Sequence, residues 1–167
     1  MAGEHPPVPG AIKISSVDMS IKRHSARTKA RKAALDILFE ADLRGGDSWS
    51  RLARRLAEPT LGVRELTREL VLGVCDNAAQ IDARIGAAGS SDWPVQRMPL
   101  VDRNLARIAV YELDHTPIDT RAAISEALEL ADELSTDESV AFLNGLLGQV
   151  ARTRSGRSIG SLGVVDE

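Results

Sequence analysis

From residue 25 to residue 152 the apolar residues recur three and four apart, and no stretch reads as a strand. That spacing lines one face of a helix with about 3.6 residues per turn. It predicts six helices. The first runs from about Ser25 to Arg44 on the stripe Ala26, Ala30, Ala33, Ile37, Leu38 and Ala41. It stops at Gly45-Gly46, since glycine takes the left-handed C-terminal conformation cheaply. The second starts after Asp47 or Ser48, ends before Pro59 and turns Leu52 and Leu56 inward. The third reaches from near Gly62 to Ile85 through Val63, Leu66, Leu70, Val74, Asn77, Ile81 and Ile85. Asp92-Trp93-Pro94 reads as a short helix start. The fourth helix covers Pro99 to His115 with Val101, Leu105, Ile108 and Ala109 inside. The fifth follows Pro117 on Ile124, Ala127, Leu128, Ala131 and Leu134. The sixth opens at Ser135, with Glu138 three residues later in a capping-box pattern, and buries Ser139, Leu143, Leu146, Leu147 and Val150.

The predicted fold class is therefore all-α, as two packed three-helix-bundle-like subdomains over residues 25–88 and 92–152. Aromatics amount to 3% of the chain, which suits cores packed through Ala, Leu, Ile and Val. Residues 1–24, with the run His5-Pro6-Pro7-Val8-Pro9-Gly10, are expected to be a disordered basic arm, and residues 153–167 a disordered tail.

Most catalytic classes find no support. A lone cysteine, Cys75, leaves no internal disulfide framework and no cysteine-based zinc site, and it reads as a packing residue. His5, His24 and His115 are far apart and form no metal-ligand pair. There is no phosphate-binding glycine loop and no nucleophile elbow. The expectation is a protein without catalytic residues, metal or cofactor. No apolar run is long enough for a membrane, and proline and glycine stand where a signal peptide needs an apolar core. A cytoplasmic location is expected.

Charge is more informative than its net value of −3. No acid lies between Asp18 and Asp36, and that gap holds Lys22, Arg23, His24, Arg27, Lys29, Arg31 and Lys32. The rest of the chain has 15 basic against 24 acidic residues. A basic arm on an acidic body suggests polyanion binding. The same arm could instead be a solvated helix face or contact the acidic body in cis. From Asp102 to Ala151 ten acids stand against three bases, a surface complementary to a basic protein or one that simply keeps the chain soluble. Phe142 lies roughly 90° from the centre of its helical stripe. It either fills a groove edge or offers a stacking surface to an unpaired base.

Three blocks resemble a known family. Ala26-Arg27-Thr28-Lys29-Ala30-Arg31-Lys32-Ala33-Ala34, followed by Leu38-Phe39-Glu40, is similar to the arginine-rich first helix of the NusB family of bacterial transcription antitermination factors. Val101 through Leu113 resembles that family's central helix. Ile124 through Ala131, and Ser139 through Phe142-Leu143-Asn144-Gly145-Leu146-Leu147, resemble its last two. Ser125 and Leu143 stand where members often have Asn and Val, and Thr28 interrupts the arginine run.

The resemblance implies an all-helical protein that binds boxA-type single-stranded RNA of ribosomal RNA transcripts. It implies a small-subunit ribosomal protein, acting as NusE, as partner. Other Nus factors and RNA polymerase are implied indirectly, and a homodimer is compatible with it. The resemblance and the basic run together place RNA contacts at Arg23, Arg27, Lys29, Arg31, Lys32, Glu138 and Phe142. The resemblance places the ribosomal-protein contact near Phe39, Asp102 and Glu112. Asp102 and Glu112, ten apart, can border one exposed face of their helix. Glu138 should both cap its helix and repel RNA. The alternatives are a NusB-like RNA-binding or scaffold module without antitermination activity, and an accessory domain of the kind found in ribosomal RNA cytosine methyltransferases.

Overall fold

In the computed structural model, residues 24–89 and 93–154 are described. Ser25 starts the first helix by accepting a 3.2 Å hydrogen bond from the Thr28 amide. The described residues form seven α-helices: α1 Ala26–Gly45, α2 Trp49–Leu56, α3 Glu65–Asp76, α4 Ala78–Ala88, α5 Leu100–His115, α6 Thr120–Leu134 and α7 Asp137–Arg152. Short 3-10 turns lie at Gly46–Ser48, Pro59–Leu61 and Val95–Arg97. The residues expected in an arm before His24, and those after Arg154, lie outside the described residues.

Helix α5 is the axle of the molecule. Ten of its 16 residues are buried, and the other long helices pack around it. The core runs without a break from Leu35 and Leu38 in α1, through Leu105 and Val110, to Leu143 and Leu147 in α7.

Four local expectations are corrected. The single third helix is two helices, broken at Asn77 (φ −117°, ψ 19°). The Asn77 amide and side-chain amide both donate to the Gly73 carbonyl, at 3.2 and 2.8 Å. Asparagine competes for backbone groups in this way and redirects the chain. As a result α4 packs on α5 and α7, so by packing it belongs with the C-terminal helices. The α7 cap is Thr136, which accepts from the Ser139 amide at 3.1 Å, and not Ser135. Arg154, expected in the tail, donates to the carbonyls of Leu113, Thr116 and Ile118 and to the Thr120 hydroxyl. It thereby ties the end of α5 to the start of α6. Finally, Ile124 and Leu128 are only half-buried, because α6 turns Ala123, Ala127, Leu130 and Ala131 to the core.

One glycine is fixed by close approach. A Cβ at Gly73 would overlap the outer end of the Tyr111 ring, which packs against α3 there. Gly73→Ala should lower stability by about 1–3 kcal/mol through overpacking, against a small helix-propensity gain. A urea midpoint equal to the parent's would show that Tyr111 swings away freely.

Candidate nucleic-acid interface

The basic run on α1 meets the acidic C-terminal helices, and this contact decides which bases remain available. Arg31 donates from Nε and Nη2 to the two oxygens of Glu112 on α5, both at 2.8 Å. Glu126 of α6 adds a 3.6 Å ion pair. Hydrogen bonding to Glu112 raises the Arg31 pKa, with burial opposing it. Thr28 donates to Glu126 at 2.9 Å. Lys32 lies 3.7 Å from Glu133, and His24 Nε2 lies 2.6 Å from the same carboxylate. Arg31, Lys32 and His24 of the basic run are therefore answered by acids within the chain.

Arg27 and Lys29 remain exposed and make no ion pair among the described residues. They are two residues apart, so they flank the start of α1 on different sides and do not form one stripe. Arg23 lies outside the described residues. Glu138 is exposed on the first turn of α7, and Phe142 follows one turn later on the same face. Phe142 is half-buried against the core, and its ring centroid lies 4.5 Å from that of Trp93 at 57°. Trp93 is 38% exposed. The structure thus pairs two of the chain's few aromatics at the surface. Only the off-stripe position of Phe142 pointed there; Trp93 had no signal of its own.

Three expected contact residues are corrected. Arg31 is buried and already held in a forked ion pair, so its guanidinium has no free face for phosphate. Glu112 is the other half of that pair and does not border an exposed face. Asp102 is fully buried and accepts from Ser135 and Ser139 at 2.8 and 2.7 Å. Phe39 is half-buried, and Leu43, one turn later on the same face, is 61% exposed. Those two side chains form an apolar strip on the outside of α1 that the inward stripe did not reveal.

Opposite the acidic face, Arg107 is buried among Asp42, Asp82 and Asn104 and lies 4.4 Å from the centroid of the Trp49 ring. This network fixes α1, α2 and α4 on α5. Burial pushes the Cys75 thiol up to about 11, so it stays protonated at neutral pH. Among the described residues no group of three metal-capable side chains occurs, and no helix is long and apolar enough to cross a membrane.

The NusB family model matches residues 28–152, from the first turn of α1 to the last residue of α7. The chain belongs to the NusB family. The transcription antitermination protein NusB of Salinispora tropica is 52% identical over 130 residues, 75% of this chain and 95% of that protein. The one from Cutibacterium acnes is 46% identical over 144 residues, covering 84% of this chain and 55% of its own length. Among solved structures, NusB of T. maritima superposes with a TM-score of 0.67 at 28% identity, over 78% of this chain and 93% of that one. A structure of antitermination factors NusB and NusE in complex with dsRNA matches in fold, with a TM-score of 0.59 at 24% identity, over 76% of this chain and 96% of that one. The NusB match thus spans the buried Arg31–Glu112 pair, Asp102 and the Phe142 turn.

Proposed function

We propose that the protein is a non-catalytic, RNA-binding transcription antitermination factor. In this reading it binds boxA-type single-stranded RNA of ribosomal RNA transcripts together with a small-subunit ribosomal protein acting as NusE. It would work in the cytoplasm, joining other Nus factors on RNA polymerase. The observation that carries the reading is the placement of Arg27 and Lys29. They stand exposed at the start of α1, while Arg31 and Lys32 are paired with acids. The names of the NusB relatives support it. Phe142 with Trp93 supplies aromatic surface for an unpaired base. The Phe39–Leu43 strip, with the exposed Asp36 three residues before Phe39, is the surface we assign to the ribosomal partner. Glu138 is an exposed anion one turn from Phe142 and opposes phosphate there, which favours binding shared with a basic partner.

The test is a titration with boxA-like RNA, with and without the ribosomal protein, across a range of salt. Arg27→Ala and Lys29→Ala should each weaken binding to every RNA sequence. Each should also flatten the salt slope by about 0.7 per lost phosphate contact on a single strand. Phe142→Ala should cost roughly 1–3 kcal/mol of binding with little change in salt slope. RNA affinity that is unchanged in all three variants, with the ribosomal protein present, would sink the reading.

A further inference from the structure

Arg27 and Lys29 are not the only exposed cations without an ion pair among the described residues. Arg64 and Arg68, at the start of α3, are two more. Each has an acid beside it in the sequence, Glu65 and Glu69, so no basic run marks them. The helix separates what the sequence sets together. Arg64 and Arg68 are four apart and share one face of α3, whereas Glu65 and Glu69 share a face about 100° further round. Arg64 stands at the N-cap of α3 and makes no side-chain capping bond, so its guanidinium is not spent on its own helix.

The fold sets these two arginines beside Arg27. The Thr67 hydroxyl donates to the Ala30 carbonyl at 3.1 Å and fixes the start of α3 against the start of α1. At the other end of α3 the Cys75 thiol donates to the Ser50 carbonyl of α2 at 3.5 Å. Trp49 and Leu52 in turn pack on Gly45, the last residue of α1. Helices α1 and α3 therefore run parallel. Arg27 lies three residues before Ala30, and Arg64 lies three before Thr67. Both stand one turn before the same contact, at the same end of the pair.

Acids bound this surface on two sides. On one flank α6 presents Glu126, Glu129 and Glu133, which face Thr28, Arg31 and His24. On the other, Glu65, Glu69 and Asp76 line the groove between α3 and α5, which Arg68 also borders. A polyanion that leaves Arg27 is repelled from both flanks and meets Arg64 and Arg68 between them.

We propose that an RNA strand held at Arg27 continues over the start of α3, where Arg64 and Arg68 take phosphates of the nucleotides flanking boxA. This rests on the RNA-binding reading above and extends it. The added ligand is single-stranded RNA outside the boxA element, held through its backbone charge and without regard to its sequence.

The experiment uses the full chain with the ribosomal protein and two RNAs: boxA-like RNA alone, and the same RNA with a run of uridines at each end. On the lengthened RNA, Arg64→Ala and Arg68→Ala should each flatten the salt slope by about 0.7, the loss of one phosphate contact on a single strand. Arg64→Lys should keep the parent's slope. On boxA-like RNA alone both alanine variants should match the parent, whereas Arg27→Ala should flatten the slope on both RNAs. Arg51→Ala removes an exposed arginine from α2 and should change neither slope. Parent slopes for Arg64→Ala and Arg68→Ala on the lengthened RNA, with that of Arg27→Ala still flattened, would overturn the path over α3 and leave the RNA-binding reading standing. A parent that binds neither RNA would overturn both. Equal flattening by Arg51→Ala would overturn the path, since the slope would then follow net charge and not a contact. Equal flattening by Arg64→Ala on boxA-like RNA alone would overturn it as well, because boxA itself would then cover α3.

Discussion

Replacing Arg31 with Ala should lower the stability of the protein by about 3–5 kcal/mol, read as a reduced urea midpoint at an unchanged slope. The guanidinium and the Glu112 carboxylate are both buried and share two 2.8 Å hydrogen bonds. Removing one partner leaves the other as an uncompensated charge beneath α1. A double replacement behaves differently. Arg31→Met with Glu112→Leu removes both charges and should recover most of the loss, because desolvation no longer opposes folding. The same pair of variants separates structure from RNA contact. Arg31→Ala should weaken RNA binding to the extent that it unfolds α1. The double variant should bind with the parent's salt slope. If it folds and yet its slope flattens by about 0.7, Arg31 touches a phosphate and its assignment as an internal pair fails.

The expectation of an exposed Arg31 fails for a physical reason. Position 31 stands three, four and seven residues before Ala34, Leu35 and Leu38, which are all buried. Asp102 stands in the same relation to Leu105, Ala106 and Ala109, and Glu112 follows Leu105, Ile108 and Ala109 at seven, four and three. Measured from the residues that the structure buries, helical spacing puts all three charges inside. A charged residue is expected outward because burial of a charge is expensive, yet that cost is met here by partners on another helix, which one sequence does not display. Leu38, Leu70, Val74, Leu105, Leu143 and Leu147 sit in the core as their spacing predicts, whereas Ala26 and Leu134, expected on the same kind of stripe, are exposed. The break at Asn77 was hidden for a related reason: an asparagine on the stripe reads as tolerated until its hydrogen bond to Gly73 is seen. Trp93 could not be paired with Phe142 from sequence, since no local rule connects a loop residue to a helix face 49 positions away.

Asp102→Lys should abolish or nearly abolish the folded state. Asp102 lies in the first turn of α5, where a carboxylate is favoured by the helix dipole. Its two oxygens accept from the Ser135 and Ser139 hydroxyls and so lock the α6–α7 turn onto α5. Reversal loses two hydrogen bonds to a charged group, each worth about 1.5–3 kcal/mol. It also buries an ammonium at the positive end of a helix, facing the Ser135 and Ser139 hydroxyls, for a penalty of several kcal/mol. The sum approaches the whole stability of a domain this size, about 5–15 kcal/mol. Asp102→Asn keeps the shape and one acceptor, so its loss should be smaller, about 1–3 kcal/mol. Circular dichroism melts rank the three proteins. Below its melting range Asp102→Asn should associate with the basic ribosomal protein at the parent's rate and salt dependence, because the side chain faces inward. If Asp102→Lys instead melts like the parent while its association slows, the carboxylate faces the partner, and the lock between α5 and the α6–α7 turn is not what holds this end of the protein.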